Sequence, residues 1–103
     1  EFRRVLFRSV DRVARFGGEE FGVILVHADR AAALDVANKL CAAVRRDPVL
    51  AGETLPLNIT ISAGVAILPT DASEEATLLS RADRALYSAK VGGRNRAMAF
   101  GQP

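Results

Sequence analysis

The chain has 103 residues, 50% of them hydrophobic, which is enough for one domain with a modest core. The sequence contains no run of about 18 apolar residues, the length needed to span a bilayer, and no recognisable secretory signal. The formal net charge of +2 originates in residues 1–9, because the rest of the chain carries equal numbers of basic and acidic side chains. Aromatic residues are also scarce, so the composition argues against a nucleic-acid partner.

The first nine residues, EFRRVLFRS, resemble the translation of a common short-read sequencing adapter. We therefore interpret residues 1–9 as a sequencing artefact and exclude them from the fold prediction. The authentic chain is then expected to occupy residues 10–103.

The first half of the chain predicts a hairpin followed by a helix. Two short β-prone runs flank Gly17-Gly18, a dipeptide typical of tight turns. A helix is predicted over residues 29–47, ending in Arg45 and Arg46, which suit the negative end of its dipole. A loop follows, marked by Pro48, Gly52 and Pro56. The helix is predicted to bury one apolar stripe, formed by Ala33, Val36, Ala37, Leu40 and Val44. The single cysteine, Cys41, lies on the same side of the helix.

The second half predicts a strand, a helix and a final strand. Residues 57–68 form a strand too apolar for a water-facing side, with Gly64 as a bend or a point of close approach. A second helix is predicted over residues 71–93, begun by a capping-box pattern at Asp71 and Glu74. Residues 96–100 are predicted to form the last strand, which gives the element order ββαβαβ. We expect both helices to cover one face of a four-stranded sheet, with these residues as the buried stripe of the second helix: Leu78, Ala82, Leu86 and Ala89. Tyr87 is predicted to be a packing residue with a polar tip.

Two interpretations fit the sequence Gly-Gly-Glu-Glu at residues 17–20. In the first, it is simply a soluble hairpin turn. In the second, the glycines let a phosphate group approach the backbone amides, and the adjacent carboxylates bind a Mg²⁺ ion that bridges to the same phosphates. Composition alone does not choose between them.

Three separated motifs occur in one order: RFGGEEF followed by GVIL from residue 15, SAGVA at 62–66, and ADRALYSAKVGGRNR at 82–96. Together they resemble the GGDEF family of diguanylate cyclases in its GGEEF form. The resemblance implies an α+β fold, a mostly antiparallel sheet with helices, similar to the palm-like nucleotidyl cyclases. It also implies that the first strand and helices of the domain are missing, so that residues 10–103 are its C-terminal part, about two-thirds of the whole.

The resemblance implies an activity and a set of site residues. Members of the family condense two GTP molecules into cyclic di-GMP and two pyrophosphates, using Mg²⁺ or Mn²⁺, in a homodimer of GGDEF domains. Gly17 and Gly18 would meet the nucleotide, and Glu19 and Glu20 would bind metal and assist catalysis. Lys90 and Arg94 match positions that reach the terminal phosphates. Without the resemblance, cations at a helix C-terminus would be explained by the helix dipole alone.

The sequence also departs from the family pattern. A product-inhibition motif, R-x-x-D, is matched by Arg8 and Asp11, but Arg8 belongs to the presumed artefact. The first-strand metal-binding Asp and the guanine-reading residues are absent. The parent protein is expected to be a bacterial cyclase with an upstream sensor domain, cytoplasmic or membrane-attached with this domain facing the cytoplasm. The isolated chain is expected to be inactive and marginally folded.

Two other function classes remain open at this stage. The first is a non-catalytic nucleotide-binding or partner-docking module of the same family, although the intact Gly-Gly-Glu-Glu sequence argues against a decayed site. The second is a purely structural α+β domain. Substitution of Glu20 by Gln separates these classes, since it removes catalysis in a cyclase and is silent in a structural domain.

Overall fold

The computed structural model describes residues 12–15, 21–25, 28–46, 49–51 and 55–102. Within these residues no helix is long and apolar enough to cross a membrane. The elements in chain order are strands β1 (Arg12–Arg15) and β2 (Phe21–Ile24), helix α1 (Arg30–Arg46), strands β3 (Val49–Ala51), β4 (Leu55–Leu57) and β5 (Ala63–Val65), helix α2 (Glu75–Val91) and strand β6 (Ala97–Ala99).

The described strands form three pairs. β1 and β2 are antiparallel, with Arg12 opposite Ile24 and Arg15 opposite Phe21, which confirms the predicted hairpin. β3 and β4 are also antiparallel, whereas β5 and β6 are parallel. The predicted α+β fold with mostly antiparallel pairing is therefore confirmed. The expected four-stranded sheet is not found among the described strands, which are joined only in pairs.

The predictions for residues 48–68 were partly wrong. Part of the predicted loop is a short hairpin, in which Pro56 pairs with Leu50. Proline is tolerated in such a strand because a short ladder leaves some backbone groups unpaired. The predicted strand 57–68 is regular only at Ala63–Val65, and residues 58–60 before it are exposed. A run of β-prone residues extends as a strand only where a partner strand supplies hydrogen bonds, and here that partner is β6.

The first face of the β5–β6 pair packs against α1. Ala37 and Cys41 of the helix form a buried cluster with Ala97 of β6, and Ala63 and Val65 of β5 pack against it. Cys41 is buried, as predicted. Burial raises the pKa of its thiol above the ordinary value of 9.0, while the positive charge of Arg45 acts in the opposite direction.

The second face of the same pair packs against α2. Successive residues of a strand point to opposite faces, so Gly64 faces away from the side that carries Ala63 and Val65. A Cβ atom at Gly64 would collide with the carbonyl oxygen of Ala82 and the amide nitrogen of Leu86, and would lie 2.8 Å from the Cα of Leu86. Helix α2 therefore runs directly over this glycine. The expected close approach at Gly64 is confirmed, but the expectation that both helices cover one face is wrong, because one helix lies on each face.

The buried stripes of the helices agree broadly with the prediction. In α1 the buried residues are Ala33, Ala37, Leu40, Cys41 and Ala43. In α2 only Ala85 and Ala89 are buried, while Leu78, Ala82 and Leu86 are half-buried. The packing role predicted for Tyr87 is wrong, since 69% of this residue is exposed. It lies one position beyond Leu86, on the side of α2 that faces away from β5.

Asp71 does not cap the second helix, which corrects the capping-box prediction. Helix α2 begins at Glu75, and its N-cap residue, Glu74, makes no side-chain capping hydrogen bond. Asp71 is buried instead, and its Oδ1 accepts a hydrogen bond of 2.7 Å from the Arg30 guanidinium at the start of α1. Its Oδ2 accepts one of 2.9 Å from the backbone amide of Ile67. The carboxylate thus joins α1 to the segment that leads into α2.

Replacement of Asp71 by Ala is expected to lower the free energy of unfolding by about 1–3 kcal/mol, because it removes the acceptor of a charge-assisted hydrogen bond and of a backbone amide. Chemical denaturation measures the difference. Asp35→Ala is the matched control: Asp35 is exposed and, within the described residues, its ion pair is the one with Lys39 on the surface of α1, so its loss should cost less than about 0.5 kcal/mol. Equal effects of the two substitutions would contradict an anchoring role for Asp71.

Candidate functional site

The predicted site residues fall into two groups. The first consists of residues outside the described part of the chain, namely Arg8, Asp11, Gly17, Gly18, Glu19 and Glu20. Their flanks are described, because β1 ends at Arg15 and β2 begins opposite it at Phe21. The second group, Lys90 and Arg94, is described fully. The structure therefore describes the cationic residues of the predicted site, Lys90 and Arg94.

Lys90 lies in the last turn of α2 and is half-buried. The rotation of about 100° per residue around the helix axis explains this, because Ala89 before it is completely buried whereas Val91 after it is 69% exposed. A cation in this position interacts favourably with the negative end of the helix dipole.

The turn after α2 has an unusual backbone. The helix ends at Gly92, and the next three residues all have positive φ: Gly93 at 127°, Arg94 at 63° and Asn95 at 53°. Glycine adopts such angles freely, and asparagine does so more readily than most residues. For arginine the left-handed conformation costs roughly 1–2 kcal/mol, so neighbouring interactions must hold it there.

Hydrogen bonds fix this turn from several directions. The amide of Arg94 donates to the carbonyl of Ala89 at 2.9 Å, and the carbonyl of Arg94 accepts from Nε of Arg96 at 3.0 Å. The guanidinium of Arg45, at the end of α1, donates to Oδ1 of Asn95 at 3.0 Å. The backbone of Arg94 is therefore held on both sides, and its side chain is exposed.

The carboxyl ends of the two helices meet at this turn. Because Arg45 bonds to Asn95, the basic end of α1 lies beside the basic end of α2. Within this region the guanidinium groups of Arg45 and Arg96 are bonded to Asn95 and to the carbonyl of Arg94, whereas Arg94 has an exposed side chain, a cation that suits a phosphate group. The sequence analysis identified Lys90 and Arg94 but missed Asn95 and Arg96. The one local signal was Asn95 itself, since asparagine after a glycine-containing turn favours a left-handed conformation.

The described residues contribute no metal site of their own. Within residues 12–15, 21–25, 28–46, 49–51 and 55–102, no three His, Cys, Asp or Glu side chains are grouped so that they could hold a metal ion. The predicted metal ligands, Glu19 and Glu20, lie outside the described residues. The metal function therefore remains a prediction about residues 19 and 20.

Comparison with known sequences shows that the chain is similar to one family of proteins. The family model described as "Diguanylate cyclase, GGDEF domain" matches residues 4–96. Diguanylate cyclase A of Treponema denticola is 38% identical over 89 residues, which cover 86% of this chain and 24% of that protein. The chain thus spans about a quarter of the length of this curated relative.

Comparison with solved structures gives the same family. The GGDEF domain of PA1120 (YfiN or TpbB) from Pseudomonas aeruginosa superposes with a TM-score of 0.84 at 31% identity, covering 97% of this chain and 63% of that one. The GGDEF domain of DgcB from Caulobacter crescentus, solved in complex with c-di-GMP, has a TM-score of 0.79 at 30% identity, covering 96% of this chain and 60% of that one. Both comparisons therefore indicate the same family, that of GGDEF domains.

Proposed function

The chain belongs to the GGDEF domain family of diguanylate cyclases, and from that premise we propose that it is the catalytic part of an enzyme that condenses two GTP molecules into cyclic di-GMP. The observation that carries the proposal is the turn after α2, in which Arg94, at a position where the family motif expects a phosphate contact, has a backbone held by hydrogen bonds and an exposed side chain. Since the chain covers 24% of the first relative, the activity is proposed for the longer protein that contains it.

The proposed reaction is a phosphoryl transfer between two bound nucleotides. In each of two such steps, the 3′-oxygen of one nucleotide forms a bond to the α-phosphorus of the other, the bond from that phosphorus to the bridging oxygen breaks, and pyrophosphate leaves. The two steps, one in each direction, close the ring of cyclic di-GMP and release two pyrophosphates. Glu19 and Glu20 accept the hydroxyl proton, while Gly17 and Gly18 let the backbone approach the nucleotide. Lys90 and Arg94 bind the terminal phosphates and offset the charge that develops on the leaving pyrophosphate.

Nucleotidyltransferases of this family generally use a divalent metal ion. We propose Mg²⁺ or Mn²⁺, held by Glu19 and Glu20, whose carboxylate oxygens are suitable ligands for these ions. When bound, the ion neutralises phosphate charge and orients the triphosphate. The carboxylates of this chain would hold it, and the cations of the turn would hold the far end of the same triphosphate.

Several partners follow from the proposed reaction. Two GTP sites are needed for one product, so we propose that two GGDEF domains face each other in a homodimer. An upstream sensor domain and a cytoplasmic position, where GTP is available, are proposed for the parent protein.

The solved DgcB domain binds c-di-GMP, which supports cyclic di-GMP as a ligand of this chain. Product inhibition through Asp11 is proposed as well, and Arg8 is left out of this proposal because we interpret residues 1–9 as an artefact.

Substitution of Arg94 by Ala in the full-length protein is expected to weaken GTP binding about 10-fold or more while leaving GMP binding nearly unchanged, because GMP lacks the phosphates that this side chain contacts. Isothermal titration with each nucleotide in the presence of Mg²⁺ measures the ratio of the two affinities. The matched control is Arg84→Ala, which removes an exposed arginine on α2 that lies 5.7 Å from the Phe100 ring. If Arg94→Ala left the ratio of GTP to GMP affinity at its wild-type value, the proposed phosphate site would be wrong.

The alternative of a non-catalytic module predicts the same nucleotide binding without product. Formation of cyclic di-GMP from GTP by the full-length protein distinguishes the two functions. No described residue favours the alternative over the cyclase.

A further inference from the structure

We propose that Arg45, at the end of α1, is a positioning residue for the phosphate-binding turn, acting on Arg94 through the side chain of Asn95. This inference rests on the proposed function, since it presupposes that Arg94 binds the phosphates of GTP. It concerns residues that the family motif does not assign to phosphate contact.

The first observation is the contrast between the backbone and the side chain of Arg94. Its backbone has a positive φ of 63° and is bonded through both its amide and its carbonyl group. Among the described residues, no hydrogen bond or ion pair is found for its guanidinium, which is exposed. A rigid backbone that presents an uncommitted cation is suited to binding an anion from solution.

The second observation is the origin of the interactions that hold the turn. The bonds from Ala89 and Arg96 are local in sequence, and both belong to the segment that includes the turn itself. The bond from Arg45 to Asn95 spans 50 residues and comes from the helix on the other face of the β5–β6 pair. Together with the bond from the amide of Ala63 in β5 to the carbonyl of Arg96, at 2.9 Å, it fixes the turn relative to the rest of the domain, and unlike that backbone bond it can be removed by a side-chain substitution.

The third observation concerns Asn95, which has two separable properties. Its φ of 53° requires a residue that tolerates the left-handed conformation, and its Oδ1 accepts the bond from Arg45. Glycine satisfies the first requirement but not the second. Asn95→Gly therefore removes the connection to α1 while preserving the backbone conformation of the turn.

The test uses the full-length protein and the ratio of GTP to GMP affinity, measured by titration with Mg²⁺ present. Arg45→Ala and Asn95→Gly are each expected to lower this ratio roughly three- to tenfold, the effect of losing one hydrogen bond that positions a binding group. The double substitution is expected to lower it no further, because both remove the same interaction. Lys39→Ala, which removes another exposed cation of α1, is expected to leave the ratio unchanged.

Three results would overturn the inference. The first is an unchanged ratio in Arg45→Ala when Arg94→Ala lowers it, which would leave Arg45 a cation of the helix terminus only. The second is additivity of Arg45→Ala and Asn95→Gly, which would mean that Arg45 acts on phosphate independently of Asn95. The third is an unchanged ratio in Arg94→Ala itself, which would refute the proposed phosphate site and this inference together. Far-ultraviolet circular dichroism of each variant confirms that the fold is retained.

Discussion

Glu20→Gln in the full-length protein is expected to reduce the rate of cyclic di-GMP formation by at least about a hundredfold, because the neutral amide can neither accept the hydroxyl proton nor replace a carboxylate as a metal ligand. Gln is nearly the same size and shape as Glu, so the turn itself is not expected to change. Chromatographic separation of the nucleotides after incubation with GTP and Mg²⁺ measures the rate.

Glu75→Gln is the matched control for this substitution. Glu75 is an exposed residue in the first turn of α2 and has no part in the proposed site, so the rate should stay within about twofold of wild type. If Glu20→Gln retained full activity, the catalytic role of Glu20 would be wrong, and the carboxylate pair would serve solubility of the hairpin only.

Gly64→Ala is expected to lower the free energy of unfolding by about 3 kcal/mol or more, at the upper end of the cost of overpacking a core. The added Cβ would collide with backbone atoms of α2, namely the carbonyl oxygen of Ala82 and the amide nitrogen of Leu86. Backbone atoms in a helix cannot rotate away as a side chain can, so the whole helix would have to shift. Chemical denaturation of the complete domain measures the loss.

Gly92→Ala provides the control for the glycine prediction. Gly92 has a φ of −72°, which any residue adopts, and a Cβ there would lie 3.1 Å from the carbonyl oxygen of Ser88. We expect a change within about 1 kcal/mol, since the new methyl group meets only a slightly tight contact. Similar losses at Gly64 and Gly92 would contradict direct packing of α2 over β5.

The local parts of the fold could be predicted from the sequence. The β1–β2 hairpin follows from a glycine pair between two β-prone runs, and α1 follows from the period of its apolar residues. Gly64 was predicted as a point of close approach. The helix that makes the approach could not be predicted, because the alternation of a strand defines two faces without saying which helix covers each.

The parts that could not be predicted depend on contacts distant in sequence. Asp71 fits a capping pattern with Glu74, but its partner is Arg30, 41 residues away, and burial of the Asp71 carboxylate prevails over the local cap. Arg45 fits a helix terminus, and only the folded chain brings it to Asn95. The roles of residues 17–20 come from the family resemblance and remain predictions, since these residues lie outside the described part of the chain.

The most direct test of the central claim is to incubate the full-length protein with GTP and Mg²⁺ and to identify the products by mass spectrometry. The account predicts cyclic di-GMP together with pyrophosphate, in a ratio of about one to two as the proposed condensation requires. Binding of GTP with no cyclic di-GMP formed under these conditions would contradict the account and favour a nucleotide-binding module.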